Sequence, residues 1–174
     1  MQAAMELYAE RGFGETTAAE IAARAGLTER TFFRYFADKR EVLFSGSEAF
    51  EKLLVDGVAA APPSAPPLGA IAAALEVMAA GFEPRRDFSR RRHAIIRAHA
   101  ELRERELIKL ASVGSAIADA LRRRGVKDPS ASLAAKAGIA VLEVAFDRWA
   151  EDTKNCKTLL QHVRESLGAL ARLG

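Results

Sequence analysis

The chain has 174 residues, 49% of them hydrophobic and 28% charged, with a formal net charge of +3 at pH 7. The hydrophobic residues are mostly Ala and Leu and show no strand-like alternation, which predicts an all-α fold. No run of about 18 uncharged apolar residues and no signal peptide is evident, so we expect a soluble, cytoplasmic protein with no membrane partner. The single cysteine, Cys156, excludes an internal disulfide and fits a reducing compartment.

The first quarter of the chain predicts three short helices joined by tight turns. Helix one runs up to Gly12. Thr17 and Glu20 form a T-x-x-E capping box that opens helix two, and Gly26 ends that helix in a left-handed conformation. Thr28 then caps helix three. Two short helices joined by a turn of this length are typical of a helix-turn-helix, which places one helix in the DNA major groove.

Helix three is predicted to have an inward and an outward face. Leu27, Phe32 and Phe36 are expected to face inward, with Leu27 packed on Phe32 as a hydrophobic staple. Arg30 lies on the outward face and is the best candidate for a bidentate contact to guanine. The outward face as a whole comprises Glu29, Arg30, Thr31 and Arg34. The alternative is a helical hairpin with an ordinary solvated face.

A further capping box, Asp38 with Glu41, is predicted to open a long helix four with Lys39 at its first position. Thr17 and Lys39 would then both lie at helix N-termini, where backbone N–H groups favour phosphate oxygens. Helix four must end near Ala61, because the proline-rich stretch that follows cannot continue a helix. It would join a DNA-binding head, residues 1–45, to an effector-binding and dimerisation body, residues 46–174.

A family resemblance is carried by Phe13, Thr17, Ile21, Ala22, Ala25, Gly26, Thr31, Phe36, Lys39 and Leu43. With them, residues 1–45 resemble the DNA-binding head of the TetR family of bacterial transcriptional regulators. The resemblance implies DNA contacts by Thr17, Thr28, Glu29, Arg30, Thr31, Phe33, Tyr35 and Lys39, to which the outward face of helix three adds Arg34. The family usually has Tyr at position 33, so Phe33 lacks a hydroxyl that would donate to phosphate. It often has His at position 35, where Tyr35 supplies a hydroxyl instead.

The charge of this head is unusual for a DNA-binding module. Residues 1–45 contain six basic and seven acidic side chains, although phosphate contacts normally supply much of the affinity. Heads of this family usually carry a basic arm, and we expect that the chain begins inside helix one, so that either the start is truncated or the arm is absent. The positive excess falls between Arg85 and Arg97.

The rest of the chain predicts five more helices. Helix five carries an apolar stripe and is broken by Pro84, helix six runs from about Arg85 to Ala100, and helix seven ends at Gly125. Helix eight starts at Asp128-Pro129, and helix nine follows Asn155. The stripe of helix five comprises Leu68, Ile71, Leu75, Met78 and Phe82.

Helix eight is apolar on two sides and must therefore be covered twice. One side has Leu133, Ala137, Val141 and Val144, and the other has Ile139, Leu142, Phe146 and Trp149. We expect a two-fold homodimer in which helices eight and nine pair with their copies as a four-helix bundle. Its interface is predicted on Ile139, Leu142, Phe146, Trp149, Leu160, Val163, Leu167 and Leu170, with small residues such as Gly138 allowing close approach. In the alternative, helix eight is the central helix of a monomer.

The segment from Arg90 to Asp152 further resembles the C-terminal domain of regulators related to the mycofactocin-system regulator. The resemblance implies a small hydrophobic or amphipathic effector, such as acyl-CoA. The predicted lining is Phe50, Leu54, Phe82, Phe88, Ile96, Arg97, His99, Leu110, Val113, Ile117 and Phe146. A polyphosphate head group would suit the arginines at 85, 86, 90, 91, 92 and 97. In the alternative, the aromatics are core, the arginines are a solvated face and His99 is a buried, hydrogen-bonded histidine.

No catalytic or metal-binding constellation is evident. His93 and His99 are six residues apart, which does not place them together on a helical face as metal ligands. We therefore predict no enzyme activity and no cofactor. The sequence favours a dimeric, ligand-responsive transcriptional regulator that acts as a repressor at a palindromic operator in double-stranded DNA. The alternative is a helical ligand-binding or scaffolding dimer without DNA-binding activity.

Overall fold

The computed structural model describes residues 1–154 and 157–173, so Cys156 lies outside the described residues. Within those ranges the chain forms nine α-helices and two short 3-10 helices, which confirms the predicted all-α fold. The α-helices are α1 Gln2–Arg11, α2 Ala18–Arg24, α3 Glu29–Tyr35, α4 Ser47–Ala60, α5 Pro67–Ala80, α6 Arg86–Ala98, α7 Ala100–Arg123, α8 Ser130–Glu151 and α9 Leu159–Ala171. The 3-10 helices are Glu41–Phe44 and Glu83–Arg85.

The first of two compact units consists of Met1–Ser47 together with Arg91–Glu106. We call it the head unit. It includes the second part of α6 and the start of α7, which the sequence analysis assigned to the body. Its buried apolar residues include Ala4, Leu7, Tyr8, Phe13, Ile21, Ala22, Phe32, Val42, Leu43, Phe44, Ile96 and Leu102.

The caps predicted for α2 and α3 are present. Thr17 Oγ1 accepts from the Glu20 N–H at 3.2 Å, while Glu20 Oε2 accepts from the Thr17 N–H at 2.8 Å. Thr28 Oγ1 accepts from the Thr31 N–H at 3.2 Å. Gly26, between the two helices, has φ +70°, a left-handed conformation that favours glycine. The two helix starts and the turn between them therefore follow from local sequence.

The predicted long helix from Asp38 is wrong. Asp38 Oδ1 does accept from the N–H groups of Arg40 and Glu41, at 2.7 and 3.2 Å, but only the 3-10 turn Glu41–Phe44 follows. Val42, Leu43 and Phe44 are all buried, and three consecutive side chains cannot share one face of an α-helix. The chain then turns at Gly46 (φ +97°) before α4 begins.

The predicted staple of Leu27 on Phe32 is also not supported. Phe32 is 2% exposed, but Leu27 is 45% exposed. The N–H of Leu27 donates instead to the carbonyl of Ala22 at 2.8 Å, which closes the C-terminal end of α2. Backbone hydrogen bonding of the turn therefore fixes Leu27 in a position where its side chain meets solvent.

The second compact unit consists of residues 48–90 and 107–174, and we call it the body unit. In it α5 packs against both α8 and α9, and α8 packs along α9. Its fully buried large side chains include Leu54, Ile71, Leu75, Met78, Ile117, Leu121, Trp149 and Leu159. Gly138 lies against α5, where an added Cβ would come within 2.6 Å of Ile71 Cγ2. The small residue therefore serves close approach within one chain rather than between two copies.

The predicted dimer interface on α8 and α9 is contradicted at three of its positions. Leu142 is 4% exposed, Trp149 is fully buried and Val163 on α9 is fully buried, so these side chains have no surface to offer a partner. On the opposite side Leu133 and Val144 are 63% and 52% exposed, whereas Val141 is buried. The side of α8 that carries Leu142 and Trp149 is therefore the one that packs inside the body unit, where α8 contacts α5 and α9. Ile139, Phe146, Leu160, Leu167 and Leu170 pack on the core but stay partly exposed.

Candidate nucleic-acid interface

The outward face of α3 is the candidate interface. Phe32 anchors the helix in the core, while Phe33 and Tyr35 are 50% and 66% exposed. Arg30 and Arg34, four residues apart, lie together on the exposed side. The face therefore combines two guanidinium groups with two aromatic rings. Its full set of exposed or half-exposed side chains is Thr28, Glu29, Arg30, Thr31, Phe33, Arg34 and Tyr35.

Local contacts orient several of these side chains. The hydroxyl groups of Thr28 and Thr31 are hydrogen-bonded to each other at 3.0 Å. Arg34 Nη2 donates to Tyr35 Oη at 3.2 Å, and Arg34 Cζ lies 4.9 Å from the centre of the Tyr35 ring. This stacking holds a cation and a hydroxyl together at the C-terminal end of α3. Both can donate to a phosphate oxygen.

Lys39 bridges backbone carbonyls of the head unit, a structural role that was not predicted from the sequence. Its Nζ donates to the carbonyls of Phe13, Gly14 and Thr16 at 2.8, 3.0 and 2.8 Å and lies 4.5 Å from the centre of the Phe13 ring. An ammonium group has three N–H donors, so these acceptors engage all of them. Tyr8 Oη in turn donates to the Lys39 carbonyl at 2.9 Å. Lys39 thus fastens the loop after α1, and its predicted phosphate contact stays a prediction.

The acidic residues of the head are partly neutralised by arginines outside α3. Arg24 donates to both carboxylate oxygens of Glu10 at 2.9 and 2.8 Å, and that hydrogen bonding lowers the pKa of Glu10. Arg11 pairs with Glu20 at 2.7 Å. Residues 91–106 add five basic and three acidic side chains to the head unit. The head unit is therefore mildly positive, although residues 1–45 alone are not.

Residues 91–106 are held to the rest of the head unit by specific contacts. Arg92 Nε donates to the Leu43 carbonyl at 2.6 Å, and its Cζ lies 5.1 Å from the centre of the Phe44 ring. Burial lowers the pKa of Arg92. The His99 ring lies 5.0 Å from the Phe13 ring, centre to centre. Arg92 and His99 were predicted to meet an effector, and both support the head instead.

The rest of the predicted effector lining divides between the two units. Ile96, Arg97 and His99 belong to the head unit. Phe88 is half-buried on the body part of α6. The other side chains belong to one body cluster, in which Leu54, Val113 and Ile117 are buried and Phe50, Phe82, Leu110 and Phe146 are partly buried.

Within that cluster the aromatic rings contact one another in a chain. The ring centres of Phe50 and Phe82 are 6.2 Å apart, those of Phe82 and Phe146 are 5.8 Å apart, and those of Phe146 and Trp149 are 5.3 Å apart. Edge-to-face packing of this kind is typical of apolar cores.

The predicted polyphosphate cluster does not converge on one point. Arg86 donates to the Lys157 carbonyl at 3.0 Å and lies over the Trp149 ring at 5.4 Å. Arg90 donates to the carbonyl of Ala150 at 2.9 Å. These guanidinium groups bind the C-terminal end of α8 and the loop after it, where carbonyl groups lack helical partners.

An open groove between α7 and α8 is a feature that sequence reasoning did not identify. Its volume is about 390 Å³. Leu110, Ala118 and Ile139 supply apolar surface, while Lys136 and Ser115 supply polar groups at its edge. An added Cβ at position 114 would come within 3.3 Å of Ile139 Cγ1, so a larger residue there would crowd the groove. Leu110 is the one residue that this groove shares with the predicted lining.

Neither a membrane-spanning helix nor a metal site is found among the described residues. Across residues 1–154 and 157–173, no helix has the length and hydropathy that crossing a bilayer requires. In those same ranges no three His, Cys, Asp or Glu side chains lie close enough together to hold a metal ion.

Comparison with known proteins agrees with the all-α fold and with a helix-turn-helix in the first part of the chain. Residues 1–45 match the model of the bacterial regulatory proteins of the tetR family, and residues 65–173 match the model of the MftR C-terminal domain. The chain therefore belongs to the TetR family of transcriptional regulators and has an MftR-type C-terminal domain.

Individual relatives are similar over different lengths. The HTH-type transcriptional regulator TcmR of Streptomyces glaucescens is 32% identical over 75 residues, which are 43% of this chain and 33% of that protein. The chain thus matches only a third of the length of that relative. The TetR-family repressor FadR of Thermus thermophilus, solved with lauroyl-CoA, is 28% identical with a TM-score of 0.56, over 98% of this chain and 90% of that one.

A putative TetR-family regulator from Mesorhizobium loti is similar in fold alone. It is 16% identical with a TM-score of 0.59, over 99% of this chain and 93% of that one.

Proposed function

We propose that the chain is a DNA-binding transcriptional repressor that acts as a homodimer in the cytoplasm and has no enzymatic activity. In this proposal α3 of each subunit enters the major groove of a palindromic operator, and a small effector in the body unit releases it. The effector and the operator would bind antagonistically, and by linkage each would weaken the other by the same factor.

The observation that carries the proposal is the construction of α3. A buried Phe32 and the Thr28 cap fix a two-turn helix whose other side exposes Arg30, Phe33 and Arg34. Arg30 is proposed to bind guanine O6 and N7, because its guanidinium fork matches that pair of acceptors. The phosphate contacts are proposed on Thr17, Thr28, Thr31, Arg34, Tyr35 and Lys39.

The dimer is proposed to form through the exposed side of α8. Leu133, Ala137, Ala140 and Val144 follow one another at spacings of four, three and four residues, which places them on one helical face. Partly exposed leucines of α9, at positions 160, 167 and 170, are proposed to complete a four-helix bundle. A two-fold axis would present two reading helices to half-sites about 34–36 Å apart.

The effector is proposed to be a hydrophobic or amphipathic molecule of the acyl-CoA class. Two findings support this class: the body unit has a large apolar and aromatic cluster, and FadR of Thermus thermophilus was solved with lauroyl-CoA. The acyl chain would enter among Phe50, Phe82 and Phe146. The groove between α7 and α8 is the proposed place for its polar part, and Lys136 and Arg122 are the cationic residues that line it.

A fluorescence-anisotropy titration tests the proposal. A labelled duplex from the region flanking the gene is titrated with wild-type protein at several salt concentrations, with lauroyl-CoA added in a parallel series. We expect saturable binding that weakens with salt and with lauroyl-CoA. Arg30→Ala should lose about 1–3 kcal/mol of discrimination between operator and unrelated DNA.

The matched control is Arg85→Ala, which removes an exposed arginine of the body unit. It should bind operator like the wild type. If wild-type protein does not distinguish operator from unrelated DNA, or if Arg30→Ala binds like Arg85→Ala, α3 is not the reader.

The acidic balance of residues 1–45 favours a second candidate, a helical ligand-binding or scaffolding dimer that does not bind DNA. The same titration separates the two candidates. Lauroyl-CoA binding without DNA binding would favour the second.

A further inference from the structure

Phe33 is a half-exposed aromatic ring on the side of α3 that also carries Arg30. It is 50% exposed, whereas its neighbour Phe32 is 2% exposed. On α3 it lies three residues after Arg30, so these two side chains are neighbours on the same surface of the helix. About half of the ring therefore stays uncovered by its own chain. It is placed where the helix would meet DNA.

The ring of Phe33 packs against the ring of Phe32. Its centre lies 5.4 Å from that of Phe32 with the planes at 89°, an edge-to-face arrangement. Because Phe32 is itself fixed in the core, the Phe33 ring is supported from within the head. A supported ring loses little conformational entropy when a ligand covers it.

The chemistry of Phe33 restricts what it can recognise. A phenyl ring has no N–H or O–H group, so it cannot donate to a phosphate or pair with a polar base edge. The major-groove edges of the base pairs are polar except for the C5-methyl group of thymine. Apolar side chains, Phe among them, contact that methyl group in protein–DNA complexes.

We propose that Phe33 reads the 5-methyl group of a thymine in each half-site of the operator. This inference rests on the proposed function, because it requires α3 to lie in the major groove. Side chains three residues apart on a helix have Cβ atoms about 5–6 Å apart, and base pairs rise about 3.4 Å each. The thymine therefore lies within about two base pairs of the guanine that Arg30 contacts, on either strand.

The test replaces thymine by uracil, which removes only the methyl group and keeps the pairing. A duplex is first selected from a random pool by binding to the wild-type protein. Each thymine of the half-site is then replaced by deoxyuridine, in both half-sites at once, and the dissociation constants are compared. We expect one position to cost about fourfold per methyl group, the usual effect of exposing one buried methyl.

Variants assign that effect to a residue. Phe33→Ala should bind the thymine and uracil duplexes equally, because the ring that distinguished them is gone. Leu53→Ala, which shortens an exposed leucine of the body unit, should keep the wild-type preference for thymine. The melting temperature of each variant is measured alongside, and a half-exposed ring can be removed without opening the core.

Three outcomes would overturn the inference. If wild-type protein binds its selected duplex but no thymine is sensitive to replacement, the inference is overturned and the proposed function stands. If the preference for thymine persists in Phe33→Ala, another side chain reads the methyl group and the inference is again overturned. If no duplex is enriched from the pool, the proposed function fails and the inference fails with it.

Discussion

Trp149 and Glu83 are joined by a hydrogen bond in which the indole N–H donates to Glu83 Oε1 at 3.1 Å. The same oxygen accepts from the N–H of Leu159, the first residue of α9, at 2.6 Å. One carboxylate thus connects the end of α8, the start of α9 and the 3-10 turn after α5. This triple junction explains why Trp149 is fully buried within one chain and is not part of a dimer face.

Removing that carboxylate should destabilise the body unit. Glu83→Ala leaves a buried indole N–H and a helix-initiating N–H without their acceptor. We expect the free energy of unfolding to fall by about 2–4 kcal/mol. Urea unfolding followed by tryptophan fluorescence measures it, since Trp149 is the single tryptophan of the chain. Glu48→Ala, at an exposed position of α4, should change stability by less than about 0.5 kcal/mol. Equal stabilities of the two variants would contradict a stabilising role for the Glu83 carboxylate.

The exposed side of α8 should control the oligomeric state. Val144→Glu places a charge in the proposed interface, so we expect the dimer to dissociate without loss of helix content. Val77→Glu introduces the same change on α5, at a valine that is 62% exposed, and should leave the dimer intact. Sedimentation velocity measures the oligomeric state of both variants. A Val144→Glu protein that sediments like the wild type would exclude this face.

Lys39 should contribute more to stability than an ordinary surface lysine. Lys39→Ala removes a cation that bridges three backbone carbonyls of the loop after α1. We expect a loss of about 2 kcal/mol or more in thermal or urea unfolding. Lys52→Ala breaks only the exposed ion pair with Asp56 and should cost less than about 0.5 kcal/mol. If both variants were equally stable and Lys39→Ala lost only DNA affinity, Lys39 would be a phosphate contact as the sequence predicted.

Asp128 should make the stability depend on pH in the acid range. Hydrogen bonds from Arg122 and Ser132 lower its pKa to about 2 from an unfolded value of about 4. Between these values the unfolded chain binds more protons at this site than the folded chain, so stability falls as the pH falls from 4 to 2. The difference in stability between wild type and Asp128→Asn should therefore be largest above pH 4 and shrink towards pH 2. A difference that stayed constant over this range would contradict the assignment.

Local chemistry was sufficient to predict α2 and α3 from the sequence. The Thr17–Glu20 box, the Gly26 turn and the Thr28 cap each depend on residues no more than four apart. Such signals do not need the rest of the fold. At Asp38 the side chain does accept backbone N–H groups, but the capping residue of the 3-10 turn that follows is Arg40, and the predicted long helix does not form there.

Long-range packing set the features that the sequence did not predict. Residues 41–44 were expected to be helical, yet their burial in three successive positions forces a tighter turn. The periodicity of α8 identified two apolar sides but not which one α5 would cover, a choice that depends on Gly138 meeting Ile71. Arginines 86, 90 and 92 formed a basic cluster in the sequence, but each donates to a backbone carbonyl that only the folded chain brings near.

The central claim is that α3 enters the major groove of the operator. Methylation interference at guanine N7 tests this most directly. A selected duplex is partially methylated with dimethyl sulfate, bound and separated. If α3 enters the groove, methylation should interfere with binding at one or two guanines in each half-site, and the two half-sites should lie about one helical turn apart. In Arg30→Ala the interference should be lost at those guanines alone. Binding that no major-groove methylation affects, or interference unchanged in Arg30→Ala, would contradict the account.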